Sequence, residues 1–429
     1  MAAMVIFSVI FVAVTFIDIN IGLIAILLSM LLSPELEVGT AAGRAVVIRA
    51  EDLLLIIVSF TWLAKMAIKK APLIKGSPLN IPIGLYVAVM CFSTARGMLS
   101  GNILPLKGMF YVFKIVEYFV LYFIVLNQIT SEKQVKLFLG VLIFTSLVVG
   151  IYGNTHIGRL PRISAPFEGT GEPNTLGGYM LFILSILGGM IYYFREKRGQ
   201  LFLVFVFLIP TFIFTLSRAS YLGMLASLAA FVILSKDKRV LNWALCVALV
   251  FIVVFSLGPP VLKERIIGAF TPEVQQTLKK VGPVSLGPSP AARIESWHIR
   301  LTQRLPQKPL FGFGVTGTGF LDSQYILTLS ETGVIGLVLF LWLMWRIWRA
   351  ALNTFKKVED PLFKGLTMGY MVGFAGLLTH AIGANSFIII RIAEPFWFFT
   401  AIIIKLTDIE SGRAPVGDEA LTRKKRLKE

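Results

Sequence analysis

Residues 134–153 read QVKLFLGVLIFTSLVVGIYG, and this stretch decides the fold of the chain. Lys136 is its only charged residue, and its length is about what an α-helix needs to cross the hydrocarbon core of a bilayer. Similar apolar runs recur along nearly the whole sequence, and 56% of the 429 residues are hydrophobic. A helix satisfies its own backbone polar groups, as lipid demands. The sequence therefore predicts an all-α integral membrane protein.

The spacing of the apolar runs predicts about 12 transmembrane helices. We expect them at residues 4–33, 52–68, 80–97, 109–127, 134–153, 174–194, 200–216, 218–235, 240–257, 327–346, 363–386 and 388–405. The first run contains Asp18 and Asn20, which could split it into two short helices. The membrane domain is expected to cover residues 1–406, and a basic tail follows at 407–429.

Lysine and arginine in short loops predict the orientation of the chain. They cluster in alternate connections, around residues 65–75, 195–198, 236–239 and 346–364, and in the tail at 423–426. Cytoplasmic loops of membrane proteins carry an excess of these residues. These connections and both termini are therefore expected in the cytoplasm, and the remaining loops are expected on the outer side.

The longest outer segment, residues 258–326, is also strongly basic. Its eight positive residues are Lys263, Arg265, Lys279, Lys280, Arg293, Arg300, Arg304 and Lys308, against Glu264, Glu273, Glu295 and Asp322. The orientation rule does not explain positive charge on this side, so an acidic partner is the natural inference. Membrane lipid and a negatively charged substrate are the expected partners, and no nucleic acid is expected.

One short helix is predicted within this segment, at residues 291–305, as an interfacial helix. At helical period, Arg293, Trp297, Arg300 and Arg304 fall on one narrow face. Guanidinium groups on such a face could bind anionic lipid headgroups, or they could bind a pyrophosphate-linked substrate. The residues alone leave both interpretations open.

Two further outer segments depart from simple connections. Residues 154–173 are rich in Gly and Pro, which favours a shaped loop, and they contain Arg159, Arg162, Glu168 and Glu172. Arg218 opens an apolar span at the outer surface. An arginine there could simply extend its side chain to the interface, or it could bind substrate.

Three strings of residues in these outer segments carry a family resemblance. They are RISAPFEGTGEPN at 162–174, TLSRASYLG at 215–223, and a third that runs from Arg293 and Trp297 through PLFGFG at 309–314 to DSQYILTLSETGVIG at 322–336. In their order, spacing and placement, they resemble the O-antigen ligase/polymerase superfamily of membrane glycosyltransferases. The resemblance covers about residues 155–345.

The resemblance implies a function on the outer face of the bacterial inner membrane. Members take a glycan from a polyprenyl-pyrophosphate carrier; ligases move it to the lipid A core, and polymerases move it to another carrier-linked glycan. The resemblance also implies that Arg218 and Arg293 bind the pyrophosphate. The expected substrate-binding residues are Arg159, Arg162, Glu168, Glu172, Asn174, Trp297, Arg300, Arg304 and Tyr325. A chain-length regulator is a further candidate partner.

The candidate base distinguishes the two branches of the superfamily. In ligases a His-Asn pair precedes the Tyr-Leu segment, whereas this sequence has Asp322 and Ser323 there. The difference favours a polymerase-like enzyme in which Asp322 deprotonates the acceptor and the anomeric configuration inverts; a ligase stays the alternative. Glu168, Glu172 and His298 are the fallback bases, and His380 is expected to be hydrogen-bonded structure.

The sequence predicts no metal and no cofactor. It contains no Asp-x-Asp motif, the usual metal-binding sequence of glycosyltransferases. Its two cysteines, Cys91 and Cys246, both lie in apolar runs and are expected to be inert packing residues. Arginines can neutralise a leaving pyrophosphate through bidentate hydrogen bonds, so the catalytic residues expected are Arg218, Arg293 and Asp322.

Two other function classes compete with glycan transfer. A transporter or flippase predicts ionisable groups near the bilayer midplane and broken helices in two related halves. Here the ionisable groups cluster at the outer ends of spans, and the pairs Lys114/Glu117 and Arg391/Glu394 are expected to be internal ion pairs. A non-catalytic assembly or lipid-binding protein would also explain a basic loop.

Overall fold

The computed structural model describes residues 11–41, 44–168, 171–237, 279–281, 284–286, 288–319 and 321–412. The helices in these ranges are α1 (Ile19–Leu32), α2 (Ala50–Lys69), α3 (Asn80–Leu99), α4 (Pro105–Gln128), α5 (Glu132–His156), α6 (Pro173–Tyr193), α7 (Arg198–Phe214), α8 (Arg218–Ser235), α9 (Pro288–Ile299), α10 (Gln324–Lys357), α11 (Pro361–His380) and α12 (Ile390–Glu410). The predicted all-α membrane class is confirmed.

Two short antiparallel hairpins, which the sequence analysis did not predict, accompany the helices. Strand β1 (Glu35–Ala41) pairs with β2 (Arg44–Arg49), so that Glu35 lies opposite Arg49. Strand β3 (Lys279–Val281) pairs with β4 (Val284–Leu286) immediately before α9. Each hairpin has only two strands, which is too few for an independent sheet domain, and the fold of the described residues remains a helical bundle.

Eight of the described helices are long and apolar enough to cross a membrane: α3, α4, α5, α6, α7 with the turn before it, α8, α10 and α11. Helices α1, α2 and α12 coincide with three more of the expected spans, but α1 has only 14 residues and the other two carry more charged groups. The expected span at 240–257 lies outside the described residues. The chain is a multi-pass membrane protein, and the count of 12 is not confirmed.

The first apolar run is broken at Asp18, as the sequence suggested. Residues 11–17 are helical, Asp18 is extended (φ −131°, ψ 107°), and α1 begins after it. The Asp18 carboxylate accepts a hydrogen bond from the backbone N–H of Asn20 at 2.9 Å. The side chain of Asn20 is in turn bound by Gln134 of α5 at 2.9 Å. The polar pair therefore caps a helix and ties it to its neighbour.

The core of the bundle is a close packing of α6, α8 and α11 through small residues. A Cβ added to Gly189 would lie 2.3 Å from the backbone nitrogen of Gly369, and one added to Gly223 would lie 2.8 Å from the carbonyl oxygen of Gly376. Backbones approach this closely only where side chains are absent. The packing brings the start of α6, the start of α8 and the end of α11 to one end of the bundle.

Charged side chains are also buried between helices. Lys114 of α4 forms ion pairs with Asp52 of α2 and, at 3.5 Å, with Glu117. The expected Lys114/Glu117 pair is thus confirmed, and Asp52 is a second partner that the sequence did not reveal. Glu394 of α12 is 1% exposed and faces the same group of charges. Pairing lowers the cost of keeping such charges away from water.

Candidate active site

The predicted helix at residues 291–305 forms part of a continuous helical arm, residues 288–307. The arm begins as α9, widens into a single π turn at Arg300–Arg304, and ends as a 3₁₀ turn at Leu305–Gln307. Arg293 and Trp297 are half-buried on it, whereas Arg304 is exposed. The arm therefore presents one side to the bundle and the other to its surroundings, as an interfacial helix does.

Two of the three predicted catalytic residues meet where the arm contacts the start of α10. Arg293 donates two hydrogen bonds to Asp322 Oδ2, from Nη2 at 2.8 Å and from Nε at 3.2 Å. Both side chains remain about one-third exposed, at 30% and 32%. Because both bonds end on Oδ2, the ion pair leaves Asp322 Oδ1 available to a substrate hydroxyl.

The position of Asp322 is fixed by its neighbours in the chain. The backbone nitrogen of Gln324 donates to the carbonyl of Ala381 at 3.0 Å. The Gln324 side-chain oxygen accepts the N–H of Phe387 at 3.1 Å, and Asn385 donates to the carbonyl of Leu321 at 2.8 Å. Both amides are buried. Asp322 is therefore held rigidly against the connection between α11 and α12.

A second group of predicted residues lies at the turn between α7 and α8. Ser217 caps α8, and its hydroxyl donates to Asn174 Oδ1 at 2.8 Å. Arg162 donates to the carbonyls of Thr215 and Leu216 at 3.2 and 3.3 Å. Arg218 is half-buried as the first residue of α8. The first two sequence strings are thus joined in space by direct hydrogen bonds.

His380 links this turn to the arm. A Cβ added to Gly178 of α6 would lie 2.9 Å from its ring, and one added to Gly223 of α8 would lie 3.4 Å from its Cβ. The ring is fully buried and within electrostatic range of Arg293. Its Nδ1 is 2.7 Å from Ser386 Oγ, in agreement with the expected structural role. The Arg293–Asp322 pair and the α7–α8 turn are therefore parts of one region.

Helix α10 is interrupted inside this region. Gly333 is non-helical, with φ 69° and ψ −171°, and the segment 309–314 fills the break. The joining main-chain hydrogen bonds run from Phe313 N to Ser330 O (3.0 Å), Gly314 N to Glu331 O (2.7 Å), Val334 N to Pro309 O (2.9 Å) and Ile335 N to Leu310 O (3.2 Å). Backbone polar groups at a helix break need such partners in a membrane protein.

The glycines of the third string allow this close approach. A Cβ added to Gly312 would lie 2.6 Å from the Glu331 backbone, and one added to Gly333 would lie 2.3 Å from the carbonyl carbon of Leu310. Both glycines also have positive φ angles, 62° and 69°. Such positions accept only glycine without strain.

The comparison with known families fits these strings. Residues 201–341 match the family model described as "O-Antigen ligase". The matched range covers about a third of the chain and is similar to this family. The match confirms the resemblance to the O-antigen ligase/polymerase superfamily, and it supports a function of that broad kind. A comparison with curated proteins gives no match.

The matched range contains Arg218, Arg293 and Asp322, together with the arm and the break in α10. The loop before α6 lies outside the matched range. There, Glu168 Oε2 accepts the N–H of Glu172 at 2.9 Å, and its Oε1 is 3.8 Å from Nε of Arg391, with both side chains buried. Glu168 is therefore held within the protein.

The remaining predicted residues occupy varied positions around the candidate site. Arg304 lies over the ring of Phe313, with its Cζ 5.9 Å from the ring centre. The indole nitrogen of Trp297 is buried and has no hydrogen-bond partner among the described residues. Tyr325 donates its hydroxyl to the carbonyl of Leu378 at 2.7 Å, and Arg159 is exposed.

Sequence reasoning missed one charged group within the matched range. Glu331 is 7% exposed at the end of the first half of α10, and its Oε1 accepts the backbone N–H of Thr316 at 2.8 Å. It also interacts electrostatically with Arg300 of the arm. The signal was present in the sequence, because a carboxylate two residues before a glycine within an apolar span requires a partner.

Proposed function

We propose that the protein is a polymerase-like glycosyltransferase that moves a glycan from a polyprenyl-pyrophosphate carrier to a glycan acceptor. The observation that carries this proposal is the Arg293–Asp322 ion pair, in which a phosphate-binding group and a proton acceptor lie together and each is about one-third exposed. The match of residues 201–341 to the O-antigen ligase family supports the reaction class.

Two arginines would stabilise the leaving pyrophosphate. As the bond from the anomeric carbon to the pyrophosphate breaks, its electron pair leaves with the phosphate oxygen. Arg293 and Arg218 then stabilise that developing charge through charge-assisted hydrogen bonds. The guanidinium groups would do so without a metal ion, and no cofactor enters the proposed reaction.

Asp322 would activate the nucleophile, which is a hydroxyl group of the acceptor glycan. The acceptor hydroxyl oxygen bonds to the anomeric carbon while its proton passes to Asp322 Oδ1, the oxygen that Arg293 leaves unused. A carboxylate can accept a proton late in such a concerted displacement if it lies within hydrogen-bond reach. A single displacement from the face opposite the leaving group inverts the anomeric configuration.

Donor binding would prepare the base. In the structure, Arg293 donates two hydrogen bonds to one carboxylate oxygen of Asp322. A bound pyrophosphate carries more negative charge than one carboxylate and therefore draws the guanidinium toward itself. Asp322 then loses part of its neutralising partner and becomes a better proton acceptor. This order of events couples activation of the acceptor to the presence of donor.

The proposed location is the outer side of the bacterial inner membrane. The basic clusters at residues 195–198 and 346–364 favour a cytoplasmic end of the bundle opposite Arg293 and Asp322. The partners would be the lipid-linked glycan, a carrier-linked acceptor, membrane lipid and a chain-length regulator.

An O-antigen ligase is the second candidate, and the description of the matching family favours it. Such an enzyme would transfer the glycan to the lipid A core instead. Against it, Asp322 and Ser323 occupy the positions where ligases carry their His-Asn pair.

A transporter or flippase is the third candidate, because α10 is broken as transporter helices often are. In transporters the broken ends face the substrate. Here the main-chain groups around Gly333 bind the protein's own segment 309–314, which argues for a structural break.

Incubation of the purified protein with a polyprenyl-pyrophosphate repeat unit alone tests the proposal. A polymerase converts this single substrate into a ladder of longer oligomers, whereas a ligase produces nothing until lipid A core is added. Unchanged substrate in both reactions would contradict both enzyme candidates.

A further inference from the structure

Glu331 occupies an unusual position for a carboxylate. It lies two residues before the break at Gly333, is 7% exposed, and receives the Thr316 N–H at 2.8 Å. Its own carbonyl oxygen accepts the N–H of Gly314 at 2.7 Å. Main chain and side chain of one residue therefore hold the glycine-rich segment 312–319.

That segment is under local backbone strain. Thr316 has a φ of 71°, which is an outlier for a β-branched residue. Gly312, Gly314 and Gly319, which have φ values of 62°, 86° and 72°, accept the same region without cost. The hydrogen bond from Thr316 N–H to Glu331 is therefore a contact that keeps an unfavourable conformation in place. Strain of this kind is commonly retained at functional sites.

The charge of Glu331 acts on Arg300 of the helical arm. Arg300 is half-buried, and its Nη2 is 3.5 Å from the carbonyl oxygen of Gly319, at the far end of the same segment. Burial lowers the pKa of the Arg300 guanidinium, the Glu331 charge raises that pKa, and Arg304 adds to the lowering. Glu331 is therefore a negative charge that stabilises the Arg300 guanidinium in this position.

Arg300 is aligned with Arg293 along the arm. Seven residues are almost two helical turns, so the two guanidinium groups leave the same face about 10 Å apart along the axis. Arg293 already contacts Asp322. Arg300 can therefore meet a second region of negative charge on the same bound molecule, provided that its orientation is kept.

We propose that Glu331 is a positioning residue that holds Arg300, and the segment 312–319 beneath it, in the orientation needed to bind the phosphate groups of the lipid-linked donor. The inference rests on the proposed function for its donor, but it concerns binding and does not require turnover. Glu331 does not touch the reacting atoms; it acts through Arg300.

A double-mutant cycle between Glu331 and Arg300 tests the inference, with inorganic pyrophosphate as the probe and calorimetry on the purified full chain as the readout. Glu331→Gln keeps an oxygen for Thr316 N–H but removes the charge. We expect Glu331→Gln and Arg300→Gln each to weaken binding about tenfold, and the double variant to be no weaker than Arg300→Gln alone.

A second cycle with Arg159 serves as the matched control. Arg159 is exposed in the loop before α6 and belongs neither to the arm nor to the segment 312–319. The effects of Glu331→Gln and Arg159→Gln on pyrophosphate binding are expected to multiply, because the two residues share no partner. Multiplying effects in the Glu331/Arg300 cycle would overturn the inference, as would wild-type affinity in Glu331→Gln or no pyrophosphate binding by the wild-type protein.

Glu331→Asp guards against loss of folding in the Gln variant. It keeps the charge but shortens the side chain. Weaker pyrophosphate binding with a normal amount of membrane protein supports the positioning role of Glu331. Unchanged pyrophosphate binding overturns that role. Product formation by the wild-type protein is scored separately. If the wild-type protein binds pyrophosphate but makes no product, only the proposed function is contradicted. If the Glu331→Gln variant makes product with an unchanged KM for the donor, only this inference is contradicted.

Discussion

Arg293 and Asp322 are 29 residues apart in the chain, yet two nitrogens of the guanidinium bind a single carboxylate oxygen at 2.8 and 3.2 Å. This arrangement joins the helical arm, which lies beside the bundle, to the first turn of α10 within it. It also leaves the second carboxylate oxygen available. The same contact thus connects the arm to the bundle and brings together the two groups of the proposed chemistry. Substitutions of Arg293 and of Asp322 should therefore affect different steps.

Arg293→Lys should impair transfer although it keeps the positive charge. A lysine cannot make the two-nitrogen contact to Asp322 or bind a pyrophosphate in the same bidentate way. We expect product formation in membrane vesicles to fall about 10- to 100-fold at unchanged protein level.

The control for that prediction is Arg349→Lys. Arg349 stacks on Trp345, 5.4 Å from its ring centre, in the second half of α10 and away from Asp322. The same exchange should be neutral there, because lysine also interacts with an aromatic face. Equal losses in both variants would show that the Arg293 effect is not specific to the site.

Arg391→Met should destabilise the protein strongly. Arg391 is fully buried, lies 3.8 Å from Glu168, and donates to the carbonyls of Leu31 and Pro166. Its removal leaves a buried carboxylate without that charge, which costs about 3–5 kcal/mol. Thermal unfolding in detergent measures the loss.

Two further variants make the Arg391 experiment decisive. Adding Glu168→Gln to Arg391→Met should restore part of the stability, because the orphaned charge is removed. Lys136→Met disrupts an ion pair with Glu132 in which both side chains are at least half exposed, and it should change stability by no more than about 1 kcal/mol. A similar loss from Lys136→Met would refute the role assigned to burial.

Gly333→Ala should prevent accumulation of folded protein. Gly333 has φ 69° and ψ −171°, and an added Cβ would lie 2.3 Å from the Leu310 backbone. Backbone cannot yield as a flexible side chain does, so the segment 309–314 would be displaced. Membrane content and size-exclusion profile measure the outcome.

Gly140→Ala is the matched control for the glycine experiment. Gly140 lies within α5 and has no atom within 4 Å of an added Cβ, so alanine should be tolerated or stabilising there. Normal accumulation of Gly333→Ala would show that the break in α10 does not need its glycine.

The sequence predicted the parts of the molecule that depend on local pattern. Apolar runs of sufficient length located the spans, including the interruption at Asp18, because lipid imposes one requirement on every segment. Helical periodicity placed Arg293, Trp297, Arg300 and Arg304 together on one arm, and the structure forms that arm at residues 288–307.

Partners across the bundle could not be predicted in the same way. The sequence does not distinguish an arginine that binds substrate from one that binds other parts of the protein. Arg162 donates to two carbonyls at the end of α7, and Arg391 pairs with Glu168, and neither partner follows from spacing along the chain. Glu331 was overlooked because its relation to Arg300 exists only after the arm packs near the start of α10.

The rate of glycan transfer by Asp322→Asn, measured with purified protein and a polyprenyl-pyrophosphate repeat unit, tests the central claim most directly. Asparagine preserves the shape of the side chain and can still accept a hydrogen bond from Arg293, but it cannot take the acceptor proton. The account predicts a transfer rate at least about 100-fold below that of the wild-type protein, with pyrophosphate binding retained. A rate within about threefold of wild type would contradict Asp322 as the base and the Arg293–Asp322 pair as the reaction centre.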